Sequence, residues 1–64
     1  MSRDIVEDLS RRVVAGHAVT TSSWRVARDI AMVVRAGYGR TVDIEHRTVP
    51  GRGPVYTVTV AGRG

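Results

Sequence analysis

Sixty-four residues make one small domain that can bury only about 60% of the surface its unfolded chain exposes. Ten arginines against six acids leave a net charge of +4, and no cysteine is present to staple the core or hold a structural metal. No run approaches the roughly 18 consecutive apolar residues of a membrane span, and the opening MSRDIVEDL carries acids where a signal peptide carries basic and then apolar residues. The expectation is a soluble, cytoplasmic, single-domain protein over residues 1–64, without cofactor or membrane partner.

Positive charge favours a polyanionic partner through long-range attraction and counterion release. Every basic residue is arginine, while Lys, Asn, Gln, Phe and Cys are absent, the pattern of a GC-rich genome. The bias itself therefore says nothing of function; the positions of the arginines say more.

The first helix is expected from Arg3 to about Ala15. Ser2 is a candidate N-cap, Asp4, Glu7 and Asp8 suit the positive end of the helix dipole, and Arg11 and Arg12 the negative end. Ile5, Leu9 and Val13, with Val6 beside them, form its apolar stripe. Gly16 is a natural left-handed stop. Residues 17–23, HAVTTSS, read as a connection, because Ser and Thr bond their own backbone.

Ser22 or Ser23 then caps a second helix at about residues 23–36, closed by Gly37. At 100° per residue Ala27, Ile30, Ala31 and Val34 face one way and Arg25, Arg28, Met32 and Arg35 the other. Asp29 lies one turn from Arg25 and can pair with it. Two alternating segments follow, about 41–49 and 55–60, joined by PGRGP. Setting Val49 opposite Val55 places His46 opposite Val58 and Ile44 opposite Val60 on one largely apolar face, which supports that register. Residues 61–64 read as a frayed tail. The expected fold is α+β: two helices followed by a two-stranded antiparallel hairpin whose apolar face lies across the helices.

The stretch VTTSSWRVARDIAMVVRAGYG, followed by a strand and then GRGPVYTV, resembles the recognition helix and wing of winged helix-turn-helix DNA-binding proteins over residues 19–60. With two helices in place of three, it resembles the reduced winged-helix proteins of phage and mobile elements, such as excisionases. The resemblance implies a transcriptional regulator or architectural factor whose second helix enters the major groove of double-stranded DNA while the hairpin acts as a wing.

The residues support a similar reading without the family. Arg25, Arg28 and Arg35 suit phosphates or the bidentate edge of guanine. Thr21, Ser22 and Ser23, with Thr20, stand where helix amides and hydroxyls can hold a phosphate. Arg47 and Arg52 gather toward the hairpin tip. So small a footprint calls for a homodimer or tandem copies.

The alternative is a protein-binding module that grips an acidic partner through the arginine face or adds a strand at the hairpin edge; a weaker one is a structural subunit of a larger assembly. Trp24 is expected at the core edge, with a dimer interface as its functional alternative. Tyr56 is expected in the core and Tyr38 over the helix end, and Met32 among cations suggests a contact surface. His46 is expected to be a hydrogen-bonded structural residue and His17 solvated; their spacing fits no metal site. No nucleophile is paired with a base, and GYG and GRG lack the strand, loop and helix order of a phosphate-binding fingerprint, so catalysis is not expected.

Overall fold

A computed structural model describes residues 3–61. The expected Ser2 cap and residues 62–64 of the expected tail lie outside them. The elements run α1 (Arg3–Val14), β1 (Val19–Thr21), α2 (Trp24–Tyr38), β2 (Val42–Val49) and β3 (Gly53–Val60). Two helices form one layer and a three-stranded antiparallel sheet of order β1-β3-β2 the other. The result is a slab with Cα extents of 35 × 27 × 15 Å.

The sheet has one strand more than expected. Val19, Thr20 and Thr21 pair with Val58, Thr57 and Tyr56 of β3. The β-branching that makes this segment a poor helix suits it to a strand, and pairing places Val19 in the core at 7% exposure.

Helix α1 ends in a Schellman turn: Gly16 at φ 102° donates to the Val13 carbonyl, and His17 donates to Arg12 at 2.9 Å. Its buried stripe is Val6, Ser10 and Val13, rotated from the expected Ile5, Leu9 and Val13, and Ile5 is 48% exposed. Ser10 can occupy the core because its hydroxyl donates to the Val6 carbonyl at 2.7 Å, so no buried side-chain polar atom among the described residues is left unpaired.

Helix α2 is capped by Ser23, whose backbone is extended and whose side-chain oxygen accepts the Val26 amide at 3.3 Å. It does not stop at Gly37. The helix runs through Tyr38 to Gly39, which takes the left-handed conformation at φ 67° and donates to the Arg35 carbonyl. Val26, Ala27, Ile30 and Val34 are buried and meet Val6, Val13, Val19 and Val58 in a single core. Burying each Val or Ile side chain contributes about 1.5–3 kcal/mol, and the Ala27 methyl about 0.8 kcal/mol.

The hairpin register also departs from expectation. Val49 pairs with Gly53, so the loop is Pro50, Gly51 and Arg52 rather than five residues, and His46 faces Tyr56 while Ile44 faces Val58. A type II turn explains it: Pro50 fits the second position, Gly51 at φ 82° the third, and Arg52 donates back to Val49 at 2.9 Å. The shift is two residues, so every side chain keeps its expected face.

Candidate nucleic-acid interface

The core fixes the rotation of α2 about its axis. With Val26, Ala27, Ile30 and Val34 turned inward, Arg25, Arg28, Met32 and Arg35 are all exposed, Met32 at 60%. From Arg25 to Arg35 this stripe spans about 15 Å at 1.5 Å per residue, on a helix of a diameter the major groove admits.

Arg28 Nη2 lies 3.9 Å from Asp29 Oδ1, so Asp29 pairs with its neighbour rather than with Arg25 as expected. That contact is long and exposed, and such pairs hold about 0–1 kcal/mol, too little to withhold Arg28 from a polyanion. Arg25 and Arg35 form no ion pair with the described residues. On α1, by contrast, Asp8 lies 3.9 Å from Arg11 and 3.4 Å from Arg12, so charges there are mutually compensated.

At the head of α2 the three polar candidates differ. The Thr21 hydroxyl, at the end of β1, accepts the Ser23 amide at 3.1 Å, and the Ser23 hydroxyl is the cap itself. Both oxygens hold the β1–α2 connection, while Ser22 between them is exposed. The amides of Trp24 and Arg25 have no partner among the described residues, leaving donors at the positive end of the helix.

On the hairpin, Arg52 occupies the exposed turn, paired with no carboxylate among the described residues. Arg47 lies on the sheet face turned away from the helices, 3.7 Å from Glu45, with both side chains about two-thirds exposed (65% and 67%). The structure therefore brings Arg25, Arg28 and Arg35 together on one helix face and puts Arg47 and Arg52 on the separate hairpin.

Sequence reasoning missed an aromatic cluster. Tyr56 is half-buried on the inner sheet face, its ring 5.6 Å from Trp24 and stacked on His46 at 4.9 Å and 17°. His46 is thus an exposed stacking residue rather than a hydrogen-bonded one, and Trp24, 52% exposed, carries the cluster to the first turn of α2 beside Arg25. The signal was Pro50-Gly51, whose turn chemistry sets the register that brings His46 opposite Tyr56. Tyr38, the last residue of α2, is 43% exposed and borders a shallow cleft with Glu7, Arg11, Val33 and Gly37.

Among the described residues no three His, Asp or Glu side chains are grouped to hold a metal ion, and no helix is long and apolar enough to cross a membrane. Comparison with protein-family models, curated proteins and solved structures gives no match to this chain.

Proposed function

We propose that the protein binds double-stranded DNA, with α2 as the element that enters the major groove and the β2–β3 hairpin as a wing along the adjoining backbone. The observation that carries this reading is the division of α2 into a buried aliphatic side and an exposed side bearing Arg25, Arg28 and Arg35. Guanidinium groups at that spacing suit phosphate oxygens and guanine edges, and the unpartnered amides at the head of the helix suit a phosphate at its entry. Arg52, lifted by the Pro50-Gly51 turn, supplies the wing contact. A small transcriptional regulator or excisionase-like architectural factor is the role that fits these features, with no catalytic step required.

The test is a fluorescence-anisotropy titration with duplex fragments at low salt. Binding that weakens at least tenfold in Arg25→Ala/Arg28→Ala, with the helical circular dichroism unchanged, supports the reading. Equal affinity for the variant removes α2 as the contact surface. A second reading, a module for an acidic protein, draws on Met32, an exposed apolar side chain among cations. It predicts a stoichiometric protein complex that survives nuclease and loses affinity in Met32→Ala.

A further inference from the structure

We propose that the chain forms a two-fold homodimer by antiparallel pairing of its β2 strands, with Glu45 of each copy opposite Arg47 of the other. In the order β1-β3-β2, strand β2 pairs on one side only among the described residues and offers a free edge over Val42–Val49. Ladder parity decides which of its backbone groups face outward. The Ala61 amide donates to the Thr41 carbonyl at 2.9 Å, and hydrogen-bonded positions alternate along an antiparallel ladder. The odd-numbered residues of β2 therefore bond to β3, leaving the amides and carbonyls of Val42, Ile44, His46 and Thr48 directed at the free edge.

A second copy must match outward-facing residues with outward-facing residues, which permits few central registers. Centring on Ile44 sets Asp43 against Glu45. The next sets Glu45 against Glu45, and the one beyond His46 sets Arg47 against Arg47. Centring on His46 alone places Glu45 opposite Arg47, twice by symmetry. These are non-hydrogen-bonded positions, where facing side chains approach most closely, and like charges directly opposite are destabilising. Both residues lie on the outer sheet face and within one strand already approach to 3.7 Å. Ile44 then pairs with Thr48, and the ladder gains about six backbone hydrogen bonds.

The charges that discourage casual pairing at an edge are here self-complementary, so they select a second copy over an arbitrary strand. The axis of such a pair runs normal to the sheet. Both helical layers consequently lie on the same side, and the two α2 arginine faces form one surface. The dimer rests on strand geometry and charge alone and stands whether or not the protein binds DNA.

Sedimentation equilibrium of the nucleic-acid-free full chain tests it. The wild type is expected to dimerise reversibly. Glu45→Arg and Arg47→Glu, both at exposed positions, should each weaken the dimer about tenfold by converting two attractive pairs into two repulsive ones. An equimolar mixture of the two variants should restore association as a heterodimer, all of whose facing pairs are again opposite in sign. A wild type that stays monomeric, a dimer indifferent to both substitutions, or a mixture that associates no better than its components would each overturn the proposal.

Discussion

The two ends of the β2–β3 hairpin share one continuous ladder but have different surroundings. At the base, Val42, Ile44, Val58 and Val60 pack beneath the helices, and Val58, paired with Val19 on one side and Ile44 on the other, is fully buried. Toward the tip the covering layer ends: His46, Thr48, Pro54 and Arg52 are exposed, and Trp24 reaches the sheet only as far as Tyr56. Base residues are therefore accounted for by packing. At the tip, geometry demands Pro50, Gly51 and Gly53, while nothing in the fold demands Arg52.

Substitutions along the hairpin should grade accordingly. Val58→Ala should cost about 2–3 kcal/mol, since it removes buried methyl groups and leaves a cavity among well-packed neighbours. In a domain whose total stability is on the order of 3–10 kcal/mol, urea denaturation would show a large fall in midpoint. Gly53→Ala meets no steric neighbour, yet φ is 90° there; the left-handed strain should cost about 1–2 kcal/mol in the same assay. A double-mutant cycle of Trp24→Ala with Tyr56→Ala should return a coupling of about 0.5–1.5 kcal/mol; zero coupling would mean that the ring contact does not hold α2 against the hairpin. Arg52→Ala should change stability by less than about 0.5 kcal/mol and still weaken DNA binding. A large loss of stability at Arg52 would erase the distinction between base and tip.

Some of this was legible in the sequence and some was not. Ala27, Ile30 and Val34 on the inner face of α2 and the outward set Arg25, Arg28, Met32 and Arg35 follow from a 3.6-residue period sustained over four turns, while Val26 is buried in the core and Ala31 only partly so. Strand faces were legible because alternation fixes them, but alternation leaves register open in steps of two residues, and only the Pro50-Gly51 turn resolves the step. Strand β1 was hidden because three residues display no period and its partner Val58 is distant in the chain. Ser10, being polar, does not register in an apolar stripe, although a serine that bonds the carbonyl one turn back can be buried at little cost. Gly37 and Gly39 are equivalent stops by composition; the hydrogen bonds of the last turn chose Gly39.

DNA binding by the outer face of α2 is the central claim, and the salt dependence of affinity tests it most directly. Each phosphate contact steepens the fall of log K with log salt by about 0.9, so the wild type should show a steep linear slope. Arg25→Ala/Arg28→Ala should show one shallower by up to about two contacts. No binding to duplex DNA at low salt, or identical slopes for the two proteins, would contradict it.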